Sequence, residues 1–388
     1  MVDPSFWDSA RCESGSVDSN SMGGFLVAGV ENPHMRDVLA EWRPLIDETI
    51  EELLPRRIDD DYLIDFFGEP SYRYQPEAIQ QALADPIWTL LDRGGKRWRA
   101  VLFLIIVEAL GEDPDEYLPY ACVPEILHNG TIIVDDVEDE ARMRRGGDAL
   151  HHAHGTDIAL NAGNAMYFIP LKVINREYGK IDDSQRLAAY EMLTHELNRT
   201  HLGQGMDICW HNQKQVTVDE DRYYEMCACK TGCLARIVAR LAAIVTGQPD
   251  DVEQQLARYA EELSIAFQIG DDILDIENTL DQAGEFGKEF GNDIREGKKT
   301  LMVIYTAQHA DPEAVARLEE ILWADDNTED EIREAIEIME RVDAVEYARE
   351  RAHELSESAQ HQLDDLDLAD EQEQYLRDFT MFVIERET

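Results

Sequence analysis

From about Arg36 onward, apolar residues recur at intervals of three and four in one segment after another, and strand-like alternation is scarce. The pattern runs through RDVLAEWRPLIDETIEELL, RAVLFLIIVEAL, VPEILHNGTIIVDDVEDEA, DSQRLAAYEMLTHELNRTHLGQGMDICW, YYEMCACKTGCLARIVARLAAIVTG and DDVEQQLARYAEELSIAFQIGDDILDIENTL. Gly and Pro fall mainly between these segments, at GEDPDE, RRGGD and GQPDD, where they punctuate helices. The expected fold is all-α: one large helical bundle over residues 36–388, preceded by a poorly ordered acidic arm at 1–35, rich in Ser, Gly and Asp. Segments 101–109 and 234–246 are apolar on most faces, so they are expected to be central helices. The stretch 311–385 is amphipathic and strongly acidic, and is expected to wrap the outside.

Charge narrows the function. The 388 residues carry 82 Asp and Glu against 35 Lys and Arg, a net charge of −47. Such a surface argues against nucleic acid, whose phosphates need neutralising cations, and against anionic lipid. Only 8 of the basic residues are lysine, and many carboxylates with few lysines suit a protein kept soluble in concentrated salt, where self-repulsion is screened. Six sparse cysteines, mostly in apolar segments, read as reduced thiols, so a cytoplasmic location is expected. No signal peptide and no membrane-spanning run is visible.

Two acidic clusters of the form DDxxD stand out. Asp135, Asp136 and Asp139 lie in IIVDDVEDE, and Asp271, Asp272 and Asp275 lie in FQIGDDILDI. Positions i and i+4 of a helix share a face, so Asp135 pairs with Asp139 and Asp271 with Asp275. Each cluster follows an apolar run and is expected at a helix C-terminus, where the macrodipole disfavours negative charge. Helix stability does not explain that placement. Paired hard oxygen ligands suit Mg²⁺ shared with substrate phosphates, and two facing pairs would clamp a diphosphate. The bland alternative is two solvated acidic turns.

The basic residues converge on the same chemistry. GGKRWRA at 94–100 opens an apolar helix with Lys96, Arg97 and Arg99; Arg144 and Arg145 follow the first cluster; Lys230 and Thr231 interrupt an apolar helix; Lys288 and Lys298 sit in GKEFGNDIREGKKTL. Four of the 8 lysines, Lys96, Lys230, Lys288 and Lys298, are thus candidate site residues. Arg offers phosphate a bidentate fork and Lys a point charge.

Taken in order, GGKRWRA, EILHNGTIIVDDVED, RRGGDALH, GQGMDICW, KTG, FQIGDD and GKEFGNDIREGKKTL resemble the trans-isoprenyl diphosphate synthases, or polyprenyl synthetases, over residues 90–305. The resemblance implies an isoprenoid-synthase helical bundle with a central active site and a Mg²⁺-dependent, head-to-tail condensation of isopentenyl diphosphate with an allylic diphosphate (dimethylallyl, geranyl or farnesyl). It implies three Mg²⁺ ions and a homodimer. Asp135, Asp139, Asp271 and Asp275, with Asp136 and Asp272 beside them, would hold the metal. Arg144, Lys230, Lys288 and Lys298 would contact the allylic diphosphate, with Gln268 and Thr231 lining its site. Lys96, Arg99, His128 and Arg145, beside Arg97, would bind isopentenyl diphosphate. His128 lies seven residues before Asp135 and so shares its helix face.

Two departures from the family pattern are Asn164 for the usual Asp and Ala100 for a frequent Pro. Cys229 and Cys233 in CACKTGC, and HHAHG at 151–155, read as packing and surface groups rather than metal sites, and Trp98, Trp210, Tyr223 and Tyr224 as core. Gly130, five residues before Asp135, is expected to leave a product tunnel open. With the salt-adapted composition read as that of an archaeon, geranylgeranyl diphosphate for membrane lipids is the expected product, with a longer quinone-type chain as the alternative. A silent regulatory subunit would have lost a cluster or the isopentenyl-site cations. A terpene cyclase would not need Lys96, Arg99 and Arg145 together.

Overall fold

The computed structural model describes residues 33–175, 180–214, 216–280, 291–324 and 326–384. The arm expected at 1–35 lies almost wholly outside these, and so does Lys288. The described chain is helical apart from one two-stranded hairpin, β1 (Met143–Arg144) paired antiparallel with β2 (Gly147–Asp148). No described helix is long and apolar enough to cross a membrane.

The site is built by α1 (Pro33–Leu53), α2 (Trp98–Ala109), α3 (Leu118–Glu138), α4 (Thr156–Met166), α5 (Asp183–Gln213), α6 (Glu220–Cys227), α7 (Cys233–Val245) and α8 (Asp250–Leu280). The two segments expected to be central are central. Every residue of α7 except Arg240 is buried, and α2 exposes little beyond Trp98 and Glu108. An all-round apolar helix can satisfy its surface only inside a bundle. Around them α1, α3, α4 and α5 complete one core, while α6 and the later part of α8 pack with Leu301–His309, Glu329–Glu340 and α9 (Ala344–His361) into a second.

Local signals account for several boundaries. Asp182 caps α5 through a reciprocal capping box with Gln185. Thr300 accepts from the backbone N–H of Val303 at the start of Leu301–His309. The first aspartate cluster ends α3 as expected, with Asp139 as its C-cap. The second does not end its helix: α8 runs on past Asp275 to Leu280, because IENTL contains nothing that breaks a helix.

The tail is more than an outer wrap. Its last helix, α10 (Asp370–Ile384), buries Leu376 and Phe379 completely. The Tyr259 hydroxyl of α8 donates to Leu376 O at 2.7 Å, and the Phe379 ring sits 5.8 Å from that of Trp98. A sequence can be acidic on average and still carry a narrow apolar stripe that belongs to the core.

Candidate active site

The C-terminal turn of α3 raises Asp135 into a cavity. Its carboxylate accepts from Gln204 Nε2 at 2.9 Å and lies 3.1 Å from Lys230 Nζ. Lys230 also contacts Asp207 at 2.6 Å, and Gln204 reaches Glu138 at 2.7 Å. Burial alone would raise the Asp135 carboxyl, but Lys230 and Lys298 hold it below the usual carboxylate range. Asp139 stands on the rim. Burial and the adjacent Asp135 charge push its carboxyl up to about 7, against the opposing pull of Lys230 and Lys298.

Lys230 is aimed by an irregularity no period reveals. Residues Ala228–Gly232, between α6 and α7, form a π-turn, a feature that concentrates at functional sites. The turn points two successive side chains at two different walls. Lys230 faces Asp135 and Asp207, while Thr231 Oγ1 donates to Gln268 Oε1 at 3.2 Å. Gln268 in turn donates to Asp272 at 3.0 Å. Lys298, which follows the helical turn Asn292–Arg295, lies 3.1 Å from Asp293 and 2.7 Å from Glu296. Burial would lower Lys298, but these carboxylates keep it charged. Its charge acts on Asp135, Asp139 and Asp272 alike, so both clusters share one electrostatic site.

A second group of cations lies where α2 begins. Gly94 and Gly95 adopt φ of +90° and +140°, which lets the loop turn tightly before the helix. Arg145 Nη1 donates to Gly94 O at 2.7 Å, and Arg93 donates to the carbonyls of Arg144 and Asp148 at 3.0 and 2.8 Å, tying the hairpin to the loop. The Arg99 guanidinium lies over the Trp98 ring at 4.1 Å. His128 is buried beside Arg99 and Arg145, and burial first and those charges second hold it well below the usual imidazole range. It is therefore a neutral hydrogen-bonding group. Lys96 is exposed in the same loop.

The structure turns three expected site residues away from the cavity. Arg97 is 3% exposed and left-handed at φ +52°; it binds Asp47 at 2.7 Å, Leu91 O at 3.1 Å and Glu125 at 3.5 Å. It struts the loop between α1 and α3 and does not face substrate. Asp136 points to the hairpin, where Arg144 Nε donates to it at 2.7 Å. Asp272 is buried under the Tyr223 hydroxyl, 3.3 Å away, and Gln268. On a helix, adjacent residues are rotated by about 100°, so Asp136 and Asp272 take directions different from those of Asp135 and Asp271 and meet these partners instead. Asp275 is also buried and accepts from the Asp293 N–H at 3.1 Å.

Gly130 is not a tunnel residue either. A β-carbon there would stand 2.8 Å from Met166 Cβ and 3.0 Å from Gly163 O, so its smallness lets α3 cross α4 closely. Trp98, expected in the core, lines the cavity and stacks on Phe267 at 5.4 Å. Of the paired thiols, Cys229 donates to Glu225 at 3.2 Å and Cys233 accepts from Arg236 at 2.8 Å. In HHAHG, the His151 and His152 rings lie 4.1 Å apart, tilted by 43°, and His154 lies 3.0 Å from the Thr89 hydroxyl.

The cavity measures about 330 Å³. Asp135, Glu138, Arg144, Gln204, Lys230 and Asp271 form its polar end; Thr131, Ile132, Leu234 and Phe267 are among its apolar walls. Gln204, Asp207 and Glu138 were not singled out from the sequence. The signal was present in GQGMDICW, where Gln204 and Asp207 stand three apart on one helix face. Among the described residues, no three His, Cys, Asp or Glu side chains are close enough to hold a metal ion unaided. Carboxylates in ones and twos, completed by phosphate oxygens and water, are what Mg²⁺ favours, so the donors fit it.

Residues 80–339 match the polyprenyl synthetase family. The chain belongs to that family. It is a prenyltransferase of the polyprenyl synthetase type, and its helical fold is that of its relatives. It is 32% identical over 351 residues to a geranylgeranyl pyrophosphate synthase of Geoglobus acetivorans, covering 90% of this chain and 99% of the relative. It is 29% identical to a geranylfarnesyl diphosphate synthase of Natronomonas pharaonis, covering 91% and 98%. The geranylgeranyl pyrophosphate synthetase structure from Pyrococcus horikoshii Ot3 superimposes with a TM-score of 0.77 at 27% identity, covering 91% of this polyprenyl synthetase and 99% of that chain.

Proposed function

We propose that this prenyltransferase joins isopentenyl diphosphate to an allylic diphosphate head to tail, with geranylgeranyl diphosphate as its main product. The observation that carries the reading is the place of Lys230 and Lys298: Lys230 stands among carboxylates of α3 and α5 at the polar end of an apolar cavity, and Lys298, held by Asp293 and Glu296, adds its charge to the same Asp135 and Asp139. Cations and carboxylates interleaved in this way suit a diphosphate bound together with Mg²⁺.

In this reading Asp135, Asp139 and Asp271 hold Mg²⁺, which neutralises diphosphate charge when bound. Lys230 and Lys298 face the allylic diphosphate and stabilise the charge it gains on leaving. Arg99, Arg145, Lys96 and neutral His128 hold isopentenyl diphosphate. The allylic C–O bond breaks with its electron pair on the departing diphosphate. The isopentenyl double bond supplies the pair for the new C–C bond, and the proton released goes to a diphosphate oxygen. Trp98 and Phe267 line the cavity, and the apolar walls exclude water that would quench the cation.

The chain also acts as a homodimer in this reading. Phe168, Leu187 and Leu202 are 67%, 59% and 64% exposed, and Phe168 and Leu202 directly follow Tyr167 and His201 of the cavity wall. A second copy would cover such a face.

The test is an incubation in high-salt buffer with Mg²⁺, labelled isopentenyl diphosphate and, in turn, dimethylallyl, geranyl and farnesyl diphosphate. Geranylgeraniol should dominate after dephosphorylation. Absence of any elongated product from folded protein overturns the reading.

A further inference from the structure

The π-turn Ala228–Gly232 is gripped from below by a buried ionic cluster that makes no contact with the proposed substrates. Arg236, 5% exposed on α7, donates Nη1 to Ala228 O at 3.0 Å. Its other donors are taken by Glu196 of α5, at 3.0 and 2.7 Å, and Glu261 of α8 also contacts Nη1. Glu196, 1% exposed, is held a second time by Arg240 at 2.7 Å, and Arg240 reaches Glu253 at 2.7 Å. Buried ion pairs of this kind seldom add net stability over well-packed apolar residues. Their usual gain is a fixed geometry, and here the fixed object is a carbonyl of the π-turn, where the regular helical hydrogen-bond ladder is interrupted.

We propose that Arg236 is a positioning residue for Lys230, acting through Ala228 O and anchored by Glu196 and Glu261. The proposal rests on the prenyltransferase reading above. From the other side α5 closes the grip: a β-carbon on Gly203 would meet Cys229 and Lys230 backbone atoms. Held on both sides, the turn keeps Lys230 between Asp135 and Asp207 and keeps Thr231 on Gln268. The isopentenyl-side cations stand on α2, α3 and the hairpin, whereas the hydrogen bonds of Arg236 to other elements run to α5, α8 and the π-turn.

The experiment is a double-mutant cycle of Arg236→Met and Lys230→Met, with kcat and both KM values measured using farnesyl and isopentenyl diphosphates. Turnover by the unmutated chain establishes the underlying reading first, so the two failures stay separate. Arg236→Met should lower kcat by about a hundredfold through misplacement of the lysine, with KM for isopentenyl diphosphate changed by less than about twofold. In the Lys230→Met background the same change should cost nothing further. Independent, multiplying losses overturn the proposal, as does Arg236→Met turnover equal to that of the unmutated chain. Should Arg236→Met fail to fold by circular dichroism, Glu261→Gln is the second variant, at a partner that is 31% exposed. It should lower kcat by about tenfold with Lys230 present and not at all without it; equal losses in both backgrounds overturn the proposal.

Discussion

Gly203 and Lys230 meet backbone to backbone. A β-carbon on Gly203 would stand 2.7 Å from Lys230 Cα and from the carbonyl carbon of Cys229, closer than side chains approach main chain. Helix α5 and the π-turn can pack as they do only because residue 203 has no side chain. Gly203→Ala should destabilise the fold by about 1–3 kcal/mol through overpacking, and should lower turnover more than that loss explains, since relief requires Lys230 to move. Thermal melts and initial rates on the same preparation test this. An alanine variant with unchanged rate would show that the turn is free to shift.

Asp135 is the carboxylate that Lys230 and Gln204 both address. Asp135→Ala should reduce turnover by about a thousandfold or more and leave the circular dichroism spectrum largely intact. Near-normal turnover in that variant would sink the clamp model.

Asp139 gives the site a pH dependence. In the proposed reading Asp139 holds Mg²⁺ and must be ionised to do so; its carboxyl is pushed up to about 7, so its charged fraction is lost as pH falls through that value. The Mg²⁺ concentration giving half-maximal rate should therefore rise by up to about tenfold per pH unit below 7 and level off above it. Titrations of rate with Mg²⁺ between pH 6 and 8 measure this, with Asp139→Asn as the control that removes the slope. A flat profile in the unmutated enzyme means Asp139 is charged throughout. Chelation should abolish turnover, and added Mg²⁺ should restore it.

Arg97 separates strut from substrate ligand. Its partners Asp47 and Glu125 lie on α1 and α3, and Glu125 is buried. Arg97→Met leaves that carboxylate without its counter-charge, at a cost of about 3–5 kcal/mol. Denaturant unfolding in high salt should show this loss. A variant as stable as the parent, with only a raised KM for isopentenyl diphosphate, would restore the substrate-contact role.

Adjacent residues on α3 should behave oppositely. Thr131 lines the cavity, so Thr131→Phe should shorten the product. Gly130 faces Met166 and Gly163, so Gly130→Ala should cost about 1–3 kcal/mol and leave product length unchanged. Chromatography of the dephosphorylated products distinguishes the two, and a shortened product from Gly130→Ala would return that residue to the tunnel.

Much of the molecule was legible because its rules are local. Apolar spacing set the helices, and the runs at 101–109 and 234–246, apolar on most faces, belong at the centre. The four-residue spacing of Asp135 and Asp139, and the ordered motifs around them, identified the family and its chemistry before any fold was known.

What packing alone decided is which face of each helix meets which neighbour. The DD pairs named six candidate ligands, but their helices turn Asp136 to Arg144 on the hairpin and Asp272 to Tyr223 on α6. Arg97 looked like a phosphate ligand beside Lys96 and Arg99 until Asp47, 50 residues earlier, claimed it. Gly130 is small for the sake of α4, and the acidic tail hides Phe379 against Trp98. Sequence period determines which residues share a face over a few turns. The direction that face takes is set by side chains from segments far apart along the chain, and only the assembled bundle brings those together.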